Sequence, residues 1–198
     1  MKFIFLGLGN HGLEYQNNRH NAGKIVLKNL VNLFNFEDFK YNKKFNAEVS
    51  EGKINGKSVI FVSPDTFMNN SGDVIKKMNL TQKEAKNLTV IYDDLDLAFN
   101  KTKFSFNRSS GGHKGLESII KSIKTESFYR IRIGISKSLK SGTVKKPKGE
   151  DAVIRYVMAD FNKEELSILK KISEKIKEGI DIYTKEGYDK SANIINTN

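Results

Sequence analysis

Two apolar runs that end in polar loops constrain the fold of this 198-residue chain most strongly. Lys2–Leu8 leads into a glycine-rich loop, and Leu88–Tyr92 leads into the acidic stretch Asp93–Asp96. Short apolar runs bounded by such residues predict buried strands. In α/β sheets, ligand sites gather beyond the carboxyl ends of the strands. We therefore expect the loop 7–20 and the acidic stretch to lie at one rim of a sheet.

Helix and strand patterns alternate along the rest of the chain. Asn55-Gly56 separates two strand-like segments and predicts a two-residue hairpin. The other predicted elements are strands 46–54, 57–63, 103–106 and 129–135, helices near 21–35, 71–79 and 113–124, and a long amphipathic helix beyond residue 163. This alternation predicts an α/β fold around a mixed sheet. No repeat or low-complexity linker divides the chain, so we expect one domain over 1–198.

The positive charge is concentrated in one block. Residues 101–148 carry 13 Lys and Arg against 2 Asp and Glu, out of a net charge of +11 for the whole chain. The flanking parts nearly balance, with 13 against 11 in residues 1–100 and 8 against 10 in residues 149–198. A concentrated basic field favours a polyanionic partner, most often a nucleic acid. The alternative is a solvated, lysine-rich surface.

Several classes of protein are disfavoured by the composition and motifs. The chain has no cysteine, which excludes disulfides and a thiolate nucleophile, and no 18-residue apolar run that would span a membrane. Gly7–Gly12 matches G-x-G-x-x-G, but the following LEYQNNRHN has no apolar helical face, which disfavours a dinucleotide cofactor. No metal-ligand spacing such as H-E-x-x-H occurs. We expect a soluble, cytoplasmic protein without metal or cofactor.

Histidine, aspartate and asparagine residues in loops are the candidates for chemistry. The three histidines all lie in predicted loops: His11, His20 and His113. Asp93, at the end of a central strand, could hold the His20 imidazole in one tautomer and favour its protonation. Because the chain has no G-x-S-x-G elbow, water is the expected nucleophile. Asn10 and Asn69 could donate to an oxyanion. The alternatives are surface histidines, a solvated acidic turn and asparagines that serve turn geometry.

Five ordered motifs closely resemble those of the bacterial-type peptidyl-tRNA hydrolase family. They are GLGN-x-G-x-x-Y-x-x-x-RHN-x-G at Gly7–Gly23, P-x-T-F-M-N-x-S-G at Pro64–Gly72, IYDDLDL at Ile91–Leu97, GGHKGLESII at Gly111–Ile120 and YRIRIGI at Tyr129–Ile135. The resemblance runs from residue 3 to about 165. It implies a single α/β domain with a twisted mixed sheet flanked by helices. It also implies a monomer that hydrolyses the ester bond of N-blocked peptidyl-tRNA and needs no metal or cofactor.

The resemblance also implies roles for individual residues. His20 would be the general base that activates water, Asp93 would orient it, and Asn10 would distinguish N-blocked peptidyl groups from free aminoacyl groups. The residues implied at the peptide and the 3′ end of the tRNA are Tyr15, Phe67, Met68, Asn69, His113 and Lys114. From the charge of the basic block, we expect Lys103 and Arg132 to neutralise acceptor-stem phosphates.

Some positions depart from the family pattern. Lys114 stands where the family has an asparagine that assists the attacking water, and His11 stands where it has a proline. A protein that binds RNA on the same scaffold without hydrolysing it is an alternative, as in relatives that serve RNA splicing. The presence of His20, Asp93, Asn10 and Asn69 favours the enzyme. Whether residues 137–150 form a mobile lid is left open by the sequence.

Overall fold

The computed structural model describes residues 2–139, 141 and 143–197, which form a mixed sheet flanked by helices. The strands are β1 (Lys2–Gly7), β2 (Lys40–Asn42), β3 (Ala47–Ile54), β4 (Lys57–Pro64), β5 (Leu88–Ala98), β6 (Thr102–Phe106), β7 (Tyr129–Ser138) and β8 (Val144–Lys145). The helices are α1 (Ala22–Leu33), α2 (Asp73–Lys77), α3 (Lys114–Ile123), α4 (Glu150–Val157), α5 (Lys163–Glu186) and α6 (Tyr188–Ile195). The predicted α/β fold is confirmed.

The sheet has the strand order β2-β3-β4-β1-β5-β7-β6, with β8 paired to β7. β1 runs parallel to β4 and β5, and β5 runs parallel to β7, whereas the outer pairs are antiparallel. Gly7 lies opposite Ile91, and the Leu8 N–H donates to the Ile91 carbonyl at 2.9 Å. β1 and the apolar part of β5 therefore end side by side, which confirms the predicted common rim.

The core lies on both faces of this sheet, which explains the apolar central strands. Phe3 and Phe5 of β1 pack with residues of α1, α5 and α6, whereas Ile4 and Leu6 pack with residues of α2 and α3. Successive strand residues point to opposite faces, so a strand covered on both sides needs apolar residues at every position. No helix in the described part of the chain is long and apolar enough to cross a membrane.

The hairpin prediction is confirmed between β3 and β4. Asn55 and Gly56 have φ angles of 49° and 73°, the left-handed values that a two-residue hairpin turn requires. The long amphipathic helix is also confirmed as α5. Its start is fixed by a capping box, in which the Asn162 side chain accepts from the Glu165 N–H and the Glu165 carboxylate accepts from the Asn162 N–H.

The acidic stretch differs from the prediction because it belongs to a strand. β5 continues through Asp93 and Asp94 to Ala98, with a break in register against β7 between Asp94 and Ala98. Polar side chains are tolerated in this buried strand because each of these two carboxylates has hydrogen-bonded partners. The sequence patterns also missed the short elements β2, β8, α4 and α6.

The segment 137–150 is only partly described, because Lys140 and Gly142 lie outside the described residues. Within it, Val144–Lys145 forms β8 and pairs with the end of β7. α4 begins at Glu150, directly after Gly149, which has a φ of 84°.

Candidate active site

The centre of the site is a buried carboxylate shared by two histidines. Asp93 is 2% exposed, and both of its oxygens lie 3.0 Å from Nδ1 of His20. Its Oδ1 also lies 3.0 Å from Nε2 of His113. The two imidazole rings are 4.9 Å apart between centroids. The structure thus brings together the predicted pair, His20 and Asp93, and adds His113 to it.

The contact with Asp93 orients His20 and changes its acidity. Because the carboxylate can only accept, His20 donates its Nδ1 proton and keeps the lone pair of Nε2 for another partner. Burial lowers the pKa of His20, but the charge and the hydrogen bond of Asp93 outweigh it, and the pKa lies above its ordinary value. Burial raises the pKa of Asp93, but the two histidines hold it well below its usual range. Asp93 is therefore an ionised carboxylate, and His20 is able to accept a proton at Nε2.

His113 is held by the start of α3. Its Nδ1 accepts from the backbone N–H groups of Gly115 at 3.2 Å and Leu116 at 3.4 Å, so its ring proton lies on Nε2 and is donated to Asp93. Its side chain is 9% exposed. The structure therefore places His113 inside the site, beside Asp93, and its predicted contact with the tRNA end stays a prediction.

Close packing of backbone explains why His20 reaches Asp93. His20 lies in a single 3₁₀ turn, Arg19–Asn21, directly before α1. An added Cβ at Gly23, in the first turn of α1, would lie 2.2 Å from the Ile91 carbonyl oxygen of β5. Only glycine lets the helix start this close to the strand that carries Asp93.

The RHN turn is also anchored from the far end of the chain. The Arg19 guanidinium pairs with Glu165 at 3.1 Å and donates to the Asp160 carbonyl at 2.8 Å. The Arg19 N–H donates to the Ala159 carbonyl at 3.0 Å, and the Asn18 amide donates to the Met158 carbonyl. The segment between α4 and α5 thus fixes one side of the turn that carries His20.

Asn10 is buried, and its amide has a fixed orientation. Its Oδ1 accepts from the Met68 N–H at 2.8 Å, and its Nδ2 lies 3.7 Å from Sδ of Met158. Its backbone exchanges two hydrogen bonds with the Asn21 side chain, at 2.8 and 3.0 Å. Because a backbone N–H can only donate, Oδ1 must face Met68. The Nδ2 group carries two N–H donors, gives one to the weakly accepting sulfur of Met158, and can donate the other to a ligand.

The residues predicted at the peptide and the 3′ end lie on one loop after β4 and on the first motif. The rings of Tyr15 and Phe67 meet edge to face with centroids 6.3 Å apart, and Phe67 is 54% exposed. Met68 is buried against Gly115, where an added Cβ would lie 2.5 Å from the Met68 sulfur. The exposed Asn69 lines a groove of about 310 Å³.

Lys114, the first residue of α3, lines the same groove. Its side chain is 66% exposed, and its Nζ lies 3.8 Å from a Glu117 carboxylate oxygen. This loose surface pair leaves the ammonium accessible to a phosphate. The exposed position is compatible with the predicted contact between Lys114 and the tRNA end, which stays a prediction.

The two predicted phosphate contacts differ in accessibility. Lys103 is exposed on β6, and its register partner on β7 is Arg132. Arg132 is only 8% exposed, and its Nε donates to Asp94 at 2.6 Å. Because its guanidinium is buried and already paired, the position of Arg132 disfavours the predicted contact with a tRNA phosphate.

Two further side chains support the site and were missed by sequence reasoning. Asn21 belongs to the RHN motif but was not singled out, although it holds the backbone of Asn10. Lys24, one position after Gly23, donates from Nζ to the Asn10 carbonyl at 3.3 Å. Motif membership is a signal for Asn21, whereas a lysine on the first turn of a helix carries no such signal.

The same cluster is where a metal ion could bind. Among the described residues, one oxygen of Asp93 and one nitrogen each of His20 and His113 lie within 4.8 Å of one another. These donor atoms already make hydrogen bonds to each other, so a metal ion would have to displace the two ring protons.

The chain resembles one family of known proteins over nearly its whole length. The sequence profile of the peptidyl-tRNA hydrolase family matches residues 4–198. The peptidyl-tRNA hydrolase of Desulfitobacterium hafniense is 37% identical over 197 residues, which cover 99% of this chain and 100% of that protein. That of Fusobacterium nucleatum is 43% identical over 175 residues, covering 87% and 84%. The crystal structure of peptidyl-tRNA hydrolase from Acinetobacter baumannii has a TM-score of 0.86 at 26% identity and covers 98% of this chain and 94% of that one.

Proposed function

Because this chain belongs to the peptidyl-tRNA hydrolase family and is an enzyme that hydrolyses peptidyl-tRNA, we propose that His20 is its general base and that Asp93 orients it. The observation that carries this proposal is the hydrogen bond of 3.0 Å from His20 Nδ1 to Asp93. It leaves His20 Nε2 unprotonated and free to take a proton.

The substrate is an ester between a peptide carboxyl group and a ribose hydroxyl. Water attacks the ester carbon while His20 Nε2 takes one of its protons, and the carbonyl oxygen becomes an oxyanion. The C–O bond to the ribose then breaks, and the ribose oxygen takes the proton from His20. Asp93 stabilises the imidazolium that exists between these steps. An ester is easier to cleave than an amide, so no covalent intermediate is needed.

Asn10 supplies the selectivity for N-blocked substrates. Its Oδ1 is occupied by the Met68 N–H, so it presents an N–H donor to the substrate. A donor suits the carbonyl oxygen of a blocked amino group. The same donor opposes the free ammonium of an aminoacyl-tRNA, which has no acceptor to offer. Tyr15, Phe67 and Asn69 would then contact the peptide and the 3′ end.

The exposed lysines of the basic block would hold the acceptor stem. Lys103 lies on β6 and Lys114 at the start of α3, and both side chains are exposed. Contacts to phosphate give affinity without sequence preference, which suits an enzyme that acts on many tRNAs. We expect the enzyme to work as a cytoplasmic monomer without a metal or cofactor.

The test is hydrolysis of N-acetyl-aminoacyl-tRNA and of the unblocked form by the wild type, His20→Ala and His11→Ala. His11 is a matched control, because it lies in the same loop beside a carboxylate, Asp65, but its side chain is 59% exposed. We expect turnover of the blocked substrate alone. His20→Ala should lower kcat about 10²–10⁴-fold, and His11→Ala should keep most activity.

Two results would contradict the proposal. Full activity in His20→Ala, with an unchanged circular dichroism spectrum, would mean that another group activates water. Binding of the tRNA by the wild type without any hydrolysis would instead favour the RNA-binding alternative.

A further inference from the structure

A single half-buried ammonium, that of Lys24, joins the two loops that form the substrate side of the site. Lys24 Nζ donates to the Pro64 carbonyl at 2.7 Å and to the Asn10 carbonyl at 3.3 Å. Pro64 is the last residue of β4 and leads into the loop that carries Met68. Asn10 lies on the loop after β1. Lys24 therefore links the backbone of both loops through one side chain.

The glycine before Asn10 makes room for this link. An added Cβ at Gly9 would lie 2.9 Å from both Cγ and Cδ of Lys24 and 2.9 Å from Cγ of Asn21. The stems of these two side chains thus pack directly against the backbone at Gly9. The side chains of Asn21 and Lys24 both donate to the Asn10 carbonyl, so two hydrogen bonds hold the Asn10 loop.

Lys24 borders a cavity of about 450 Å³ whose lining includes both acidic and basic side chains. Glu48 and Asp65 face it from β3 and from the residue after β4, and Lys28 lines the same cavity from α1. His11 also lines the cavity and pairs with Asp65. Burial lowers the pKa of Lys24 to about 8, although the charges of Asp65 and Glu48 act in the opposite direction.

We propose that Lys24 is a positioning residue that fixes the Asn10 amide for the N-blocked substrate by joining the Asn10 loop to the end of β4. The proposal rests on the proposed function, in which the Asn10 amide contacts the substrate. Lys24 itself touches no reacting atom, and its ammonium acts through the two carbonyls. The protonated form is the stronger donor, so the link weakens when Lys24 loses its proton.

The first test compares Lys24→Met with Lys28→Met on N-acetyl-aminoacyl-tRNA. Lys28 is a matched control, because it lines the same cavity but is exposed and makes no hydrogen bond to either loop among the described residues. Lys24→Met should raise KM about tenfold, the effect of a lost hydrogen bond to a charged group, and leave kcat within about twofold. Lys28→Met should change neither.

A double-variant cycle then asks whether Lys24 acts through Asn10. If it does, adding Lys24→Met to Asn10→Ala should raise KM less than twofold further, because the amide that Lys24 positions is already gone. The same tenfold increase in both backgrounds would overturn the proposal. A loss of kcat at unchanged KM, or no effect of Lys24→Met, would also overturn it. None of these three results would affect the proposed role of His20, which is tested separately by His20→Ala.

The pH dependence of KM gives a readout that does not depend on the stability of Lys24→Met. In the wild type, KM should rise as the pH increases through about 8, where Lys24 loses its proton. Lys24→Arg should restore a low KM and abolish this rise, because a guanidinium keeps its charge over that range. A KM that is flat from pH 7 to 9 in the wild type, or equally pH-dependent in Lys24→Arg, would contradict the proposal.

Discussion

Asp93 and Asp94 are neighbours in β5 and are both buried, but their partners differ in kind. Asp93 accepts from two imidazoles, a group that can donate a hydrogen bond without carrying a charge, whereas Asp94 accepts from the Arg132 guanidinium, which stays charged. Asp94 also accepts from the N–H of Asp96 at 2.7 Å. Burial and negative charge therefore do not distinguish Asp93, the carboxylate proposed to act in catalysis, from Asp94, but the chemical nature of the partner does.

The largest effect should come from replacing each aspartate by asparagine and comparing kcat. Asp93→Asn should lower kcat about 10³-fold, because an amide neither stabilises the imidazolium nor holds His20 in the required tautomer. Asp94→Asn should lower the kcat of the folded enzyme less than tenfold. Single-turnover hydrolysis of N-acetyl-aminoacyl-tRNA measures both. Equal losses in the two variants would remove the distinction between the carboxylates.

The pH profile shows whether the loss in Asp93→Asn acts through His20. The pKa of His20 is raised by Asp93, and the neutral ring is the base, so kcat/KM should fall as the pH drops below that raised pKa. In Asp93→Asn the carboxylate is gone, so burial remains and lowers the pKa of His20. The acid limb of Asp93→Asn should therefore lie at lower pH than that of the wild type. If the acid limb of Asp93→Asn lay at the same pH as that of the wild type, a group other than His20 would be responsible for the limb.

The next largest effect should appear in stability, with the order of the two variants reversed. Burial lowers the pKa of Arg132, but Asp94 raises it above its ordinary value. The buried guanidinium therefore stays charged. Asp94→Asn leaves this buried cation without a counterion and should lower the free energy of unfolding by about 3 kcal/mol. Asp93→Asn should cost less, because an imidazole, unlike a guanidinium, can be neutral.

Urea denaturation of both variants tests this order. The control is the double variant Asp94→Leu with Arg132→Met, which removes both charges and should recover most of the lost stability. If Asp94→Asn unfolds at the same urea concentration as the wild type, the ion pair between Asp94 and Arg132 does not stabilise the fold.

The sequence was sufficient to predict that His20 lies near Asp93, because the positions of both residues follow from short apolar runs along the chain. The apolar runs mark β1 and the start of β5, and adjacent parallel strands end at one rim. The burial of Arg132 could not be predicted, since the alternation in YRIRIGI shows which residues share a face but not whether that face is covered. For the same reason, the acidic residues were expected in a loop although they lie within β5.

The supporting contacts of the site could not be predicted, because they join distant parts of the chain without a local signal. Met158 contacts both Asn10 and Asn18, about 140 residues away. Lys24 reaches Pro64 across the end of the sheet. Such contacts depend on how α4 and α1 pack, and packing follows from the whole fold rather than from a residue's neighbours in sequence.

The smallest effect should separate Lys103 from Arg132, which are register partners on β6 and β7. Lys103→Gln should raise KM about threefold, the effect of one exposed charge contact. It should also reduce the slope of log KM against log salt by about one, because one fewer counterion is released when the tRNA binds. Arg132→Gln, measured where it is folded, should leave the slope unchanged, because its guanidinium already faces Asp94. If the slope fell in Arg132→Gln but not in Lys103→Gln, the residue that contacts the phosphate would be Arg132 and not Lys103.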